Sequence, residues 1–219
     1  LENEYNRVTT RTVTAESQIT SGLAGVTLGT AFPTSNSLAD QLKMVARLIG
    51  ARSTLGSKRQ VFMVSLGGFD LHDNLIAQQP TLMKRVSEAM TAFYDATVEL
   101  GVADKVTAFT ASDFGRTLSS NGDGSDHGWG SHHFMVGGAV KGRAFYGKAP
   151  PVSITNTADA NDQWHVGQGR LLPSTSVDQY AAILAKWFCV SNTELAGVLP
   201  NLSHFGGADY PTDLGFMAA

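Results

Sequence analysis

The 219-residue chain has a formal net charge of −3 and only 16% charged residues, below the roughly 25% of an average globular domain, and its 23 glycines together with Ser, Thr and Asn make a surface of low charge density. It has no Lys/Arg run that would suit nucleic acid or an anionic membrane, and no apolar stretch near the roughly 18 residues that cross a bilayer. A small-molecule or glycan ligand fits this composition, and the single cysteine, Cys189, excludes an intrachain disulfide and reads as a core thiol in an apolar helical pattern.

Residues 1–36, rich in Thr, Ser and Asn, predict a partly helical segment followed by loop within the same domain, broken at Ala31-Phe32-Pro33-Thr34. The opening LENEYNRV is neither a signal peptide nor an initiator methionine, which predicts a processed N terminus. Ser37 and Asp40 have capping-box-like spacing, and Leu38, Leu42, Val45 and Ile49 share one face, so a helix is expected from Ser37 to the region of Gly50. Gln60–Leu66, QVFMVSL, is a nearly continuous β-branched apolar run of the kind that forms a strand covered on both faces. Pro80 then suits the first turn of a long helix with Leu82, Val86, Ala89, Phe93, Ala96 and Leu100 on one stripe and Gly101 as its C′ residue.

A second strand is expected at 105–110 and a third at His133–Val140, and the strand, helix, strand order predicts a right-handed parallel crossover. Residues 145–175 predict a long surface loop, Ser176 caps a helix carrying Val177, Tyr180, Ala181, Leu184 and Phe188, and a shorter helix near Glu194 stops at Pro200. The α/β domain is placed at 37–205, with an irregular tail over 206–219 and no linker that would divide it.

The chemistry-bearing residues gather just past the first two predicted strands. Gly67-Gly68-Phe69-Asp70-Leu71-His72-Asp73 follows the first, and a polar loop holding Asp113, Arg116, Asp126, His127, His132 and His133 follows the second. Groups beyond the carboxyl ends of parallel strands line the ligand crevice of an open α/β sheet. Asp70 and His72 suit Zn²⁺, Mn²⁺ or Fe, or else cap their own turn. Asp113 is either a strand-end ligand or the acceptor of the Phe114-Gly115-Arg116 bend. Arg116 holds an anionic substrate group or pairs with Asp113 or Asp126.

His132 and His133, adjacent at a strand entrance, point to opposite faces, so at most one shares a site with His127. His165 and His204 read as surface or core histidines. Asn121–Asp126 resembles the opening of a calcium loop, but the twelfth position is His132 rather than glutamate, which leaves calcium as the lesser alternative.

The motifs GGFD-x-H, S-D-FGR-T, NG-x-GSDHG-x-G and GGAVKG, in this order and with STSVDQYAAILAKWF behind them, resemble a bacterial, typically exported family called domain of unknown function 1501, within the alkaline phosphatase and sulfatase superfamily. The resemblance covers about residues 37–190. It implies a three-layer α/β/α sandwich with a mostly parallel sheet, incomplete at the N terminus, and a periplasmic or secreted metal-dependent hydrolase of phosphate or sulfate esters. By the same resemblance Asp70, His72 and His127 are ligands of one metal, Zn or Mn, and Asp113 belongs to a second; Arg116, His132 and His133 are assigned to substrate binding from their own chemistry and place in the polar loop. The family places its nucleophile in an N-terminal half, so the expected partner of this chain is that half of the same protein. Phe114 stands where relatives carry a histidine ligand after the second aspartate. The alternative is therefore a non-catalytic binding or structural module with a degraded metal site.

Overall fold

The Thr/Ser/Asn-rich start folds as one long helix, α1 (Glu2–Ala24), followed by loop up to Asn36. The computed structural model describes residues 2–218, and they form two units: residues up to Gly67 with Met83–Ala103, and Gly68–Leu82 with Asp104 onward.

In the first unit, α2 (Ser37–Gly50) buries Leu38, Leu42, Val45 and Ile49, the face its spacing predicts. Its N-cap is Asn36 rather than Ser37: the buried Asn36 side chain accepts from Ala39 N at 3.4 Å and donates to Arg85 O at 2.9 Å. One side chain thus satisfies a free helix-end amide and holds a second segment. α3 (Leu75–Glu99) starts a turn before Pro80, which sits inside it and gives up one backbone hydrogen bond there. Its part from Met83 buries Ala89, Met90, Phe93 and Ala96. Gly101, at φ +65, ends it as expected, with Val102 N donating to Thr97 O at 2.9 Å and Gly101 N to Val98 O at 3.0 Å. The Glu99 carboxylate accepts from Gly29 N at 2.7 Å and Thr30 N at 2.8 Å, so the end of α3 fastens the loop after α1.

The run Gln60–Leu66 is not a strand. It lies in irregular backbone with Val61 81% and Met63 96% exposed, held at Ser65 by two hydrogen bonds with the Gln41 side-chain amide. β-Propensity describes a fit to a pleated, partnered surface, and no ladder forms along this segment.

In the second unit, β1 (Thr107–Phe109) is the expected strand, but it pairs antiparallel with β4 (Met135–Gly137), in the register Thr107↔Gly137 and Phe109↔Met135. Between them β2 (Gly115–Ser120) and β3 (Ser125–Gly128) form a nested antiparallel hairpin. The sheets of the described residues are these two two-stranded ladders. The mostly parallel α/β/α sandwich is therefore overturned, because the crossover it required started from 60–66, and β1 instead meets a partner that the intervening hairpin brings back antiparallel.

α4 (Val177–Trp187) carries the capping box at Ser176 and Gln179, and α5 (Asn192–Val198) repeats the device with Ser191 and Glu194. The 206–219 tail supplies Phe216 and Met217 to the core around Ile183, packed by Met135, Val140, Tyr146 and Leu184. Cys189 is exposed rather than a core thiol. It occupies the left-handed position just after α4, at φ +74, with Val190 N reaching back to Ala185 O at 2.9 Å, so its side chain leaves the apolar stripe. Among the described residues no helix is long and apolar enough to cross a membrane.

Candidate metal centre

The hairpin register sets the site. Arg116 stands directly across from His127, so the two side chains are cross-strand neighbours on one face. The turn is closed by Asn121, whose Oδ1 accepts from Gly124 N at 3.2 Å. Two backbone bonds tie the hairpin to the GGFD-x-H segment and the turn after it: Ser125 N donates to Leu71 O at 3.3 Å and Leu75 N to Asp123 O at 3.1 Å. This approach needs glycine at 124, where a Cβ would lie 2.1 Å from His72 O and 2.6 Å from Leu71 O.

Three groups meet on one carboxylate oxygen. Asp70 Oδ1 is 2.7 Å from His127 Nε2, 3.0 Å from His72 Nε2 and 3.0 Å from Arg116 Nη1. Asp70, His72 and His127 each offer a donor atom, all within 4.8 Å of one another. Arg116 is braced behind them, Nε on Ser125 Oγ at 3.1 Å and Nη2 on Ser125 O. The His127 ring stacks on Phe114 at 3.9 Å, with the planes 4° apart, and Arg170 Nε donates to His127 O at 3.1 Å. The Asp70 carboxyl is held below the ordinary aspartate range, chiefly by the His127 hydrogen bond and then by Arg116. Roughly half of each of the three donor side chains is open to solvent.

Two imidazoles and a carboxylate suit Zn²⁺, Mn²⁺ or Fe²⁺, and three protein ligands with an open side is the pattern of a catalytic rather than a structural site. The donor set therefore fits a divalent ion. Asp113 is exposed and outside this group. Arg116 pairs with Asp70, not with Asp113 or Asp126. His133 Nδ1 is 3.2 Å from Thr110 Oγ1, and its ring stacks on Tyr180. His132 is exposed and likewise outside the group. His165 Nε2 donates to Thr155 O at 2.6 Å. The Asn121 side chain, first in the calcium-like run, is engaged by Gly124 N and by Asp126.

Residue reasoning missed Asp126 as a partner of His72, its Oδ1 standing 3.3 Å from Nδ1, and Phe114 as the platform for His127. The available signal was adjacency, since Asp126 precedes His127 and Phe114 lies two residues before Arg116.

The family model described as Protein of unknown function (DUF1501) matches residues 9–171, more than half of the chain. The chain belongs to this family. No curated protein and no solved structure matches it. All three residues of the Asp70–His72–His127 group lie inside the part of the chain that DUF1501 covers, as do Arg116 and Asp126.

Proposed function

We propose that Asp70, His72 and His127 hold one divalent metal ion, Zn or Mn, and that this DUF1501 chain is a metal-dependent hydrolase of phosphate or sulfate esters. The supporting observation is the convergence of two imidazole nitrogens and a guanidinium on Asp70 Oδ1 at a solvent-open surface. The ester class comes from the resemblance to the alkaline phosphatase and sulfatase superfamily. A bound ion supplies Lewis-acid polarisation of an ester oxygen. The chain's own residues do the rest: Arg116 keeps Asp70 ionised and oriented, Phe114 fixes the plane of His127, and the exposed side of the group admits an anionic ester.

The test is metal analysis of the purified protein, followed by hydrolysis of p-nitrophenyl phosphate and p-nitrophenyl sulfate with and without chelator. About one equivalent of ion, lost in His72→Ala and His127→Ala, together with chelator-sensitive turnover, is expected. Less than about 0.2 equivalents after reloading with Zn²⁺ or Mn²⁺ would refute the site, since a preformed imidazole–carboxylate cluster retains its metal.

One observation favours the second reading, a non-catalytic module. Phe114, in the position after Asp113, covers a face of His127 and brings no ligand for a second ion. One bound equivalent without chelator-sensitive turnover of either ester would decide for that reading.

A further inference from the structure

The residues left unexplained by the three-donor group are Asp126, Asn121 and Thr117, all on the hairpin. His72 stands between two carboxylates. Its Nε2 is 3.0 Å from Asp70 Oδ1, and its Nδ1 is 3.3 Å from Asp126 Oδ1. The two nitrogens lie on opposite sides of the imidazole ring, so Asp126 sits across the ring from the metal group and is not one of its members. Asp126 is itself constrained. Asn121 Nδ2 donates to its Oδ1 at 3.0 Å, and its backbone N donates to Thr117 Oγ1 at 3.1 Å.

A neutral imidazole that gives Nε2 to a metal must carry its proton on Nδ1, and a carboxylate facing Nδ1 selects that tautomer, orients the ring and raises its basicity. We propose that Asp126 is the positioning residue for His72, holding Nδ1–H so that Nε2 presents its lone pair beside Asp70, and that Asn121 and Thr117 hold Asp126 for this role. The inference rests on the metal reading above. It also gives two side chains of the Asn121–Asp126 run a use other than calcium binding: Asn121 bonds Gly124 N and Asp126, and Asp126 faces His72.

The test is a Zn²⁺ titration of the full chain against a chromophoric chelator for wild type, Asp126→Ala, Asp126→Asn and Asp126→Glu, with melting of each metal-free protein. Asp126→Ala should raise the Kd about 10- to 100-fold, the usual effect of removing such an outer partner. Asp126→Asn should fall between it and wild type, and Asp126→Glu should recover part of the loss, a graded rescue that a merely structural role would not produce. Nitrogen-15 spectra of the Zn-loaded, histidine-labelled wild type should show a protonated, hydrogen-bonded Nδ1 on His72. If Asp126→Ala does not fold, the Asn and Glu variants carry the comparison. Wild type that binds Zn²⁺ while the folded Asp126 variants stay within twofold of it overturns the positioning role alone, whereas wild type that binds none overturns the metal reading and this inference with it.

Discussion

Substituting Gly124 by alanine tests how the site is assembled, because the hairpin meets the His72 segment backbone to backbone at that residue. The added Cβ would fall 2.1 Å from His72 O and 2.3 Å from His72 C, and ordinary contact begins at 3.4 Å, so the segments must part by about 1.3 Å. Backbone atoms cannot swing away as a side-chain tip would. The Ser125 N to Leu71 O and Leu75 N to Asp123 O bonds, 3.3 and 3.1 Å long, do not survive such a displacement. Their loss costs about 1 kcal/mol each, and residual overpacking adds about 1 kcal/mol or more. A total near 3 kcal/mol lowers the melting temperature of a chain of this length by about 9 °C. The same displacement moves His127 relative to Asp70 and His72 well beyond the roughly 0.2 Å tolerance of a metal site, so Zn²⁺ affinity should fall at least about tenfold. The assay pairs thermal melting with chelator-competition titration, and Gly142→Ala, where a Cβ meets open space, is the control. A Gly124→Ala protein that melts within about 2 °C of wild type and binds Zn²⁺ within twofold of it would refute the backbone approach as the device that builds the site.

Two further outcomes follow from carboxylates outside the site. Glu99 is held below its ordinary value of 4.5, chiefly by the Thr30 hydroxyl and then by the Gly29 and Thr30 amides. A lowered folded value means stability that is present above the unfolded value and lost as pH falls through the folded one, so the melting difference between wild type and Glu99→Gln should be constant well above 4.5 and narrow as pH falls below it, measured by pH-dependent melting. The buried Asp162 carboxylate accepts from Ser153 Oγ, from Thr155 Oγ1 at 2.8 Å, and from Thr157 N at 3.0 Å and Thr157 Oγ1, all within the long 145–175 loop. Asp162→Ala should raise the rate of proteolytic cutting between 153 and 165 at least about fivefold, and amide exchange at Thr157 should accelerate with it. Unchanged exchange at Thr157 would mean that the loop is fixed by other contacts.

Helix faces and helix ends read from the sequence carried over to the structure, and strand pairing between distant segments did not. The α2 stripe, Gly101 at the end of α3 and the Ser176 cap are each decided within a few residues by helix geometry and capping chemistry, and each stands where its residues put it. The strand partner of β1 is decided at long range. Val106–Thr110 is legible as a strand, but nothing in its own residues distinguishes a parallel neighbour at 60–66 from an antiparallel one at Met135–Gly137. A strand at QVFMVSL covered on both faces would supply the parallel crossover that agrees with the sandwich the family resemblance implies, and this segment forms no ladder.

Three of the four residues expected in one crevice meet in the structure, through a topology other than the expected one. Parallel strands side by side would place Asp70, His72, Asp113 and His127 in one crevice; among the described residues no such pair of strands exists, Asp113 stays outside the group, and a β-hairpin carries His127 to the GGFD-x-H turn. What distinguishes His127 from Asp113 is register. Asp113 lies before β2 begins and belongs to a bend, whereas His127 is locked opposite Arg116 inside the ladder, and both side chains of that pair reach Asp70. Alternation along β3 sends Asp126 the other way, and His72 can still meet it because an imidazole has a nitrogen at each side. The Asp126-His127 dipeptide thus engages both polar side chains of the GGFD-x-H motif, one residue touching His72 and the other Asp70. A one-residue slip of β3 would exchange these partners and leave two carboxylates facing each other, so the register of a four-residue strand holds the electrostatics of the whole group.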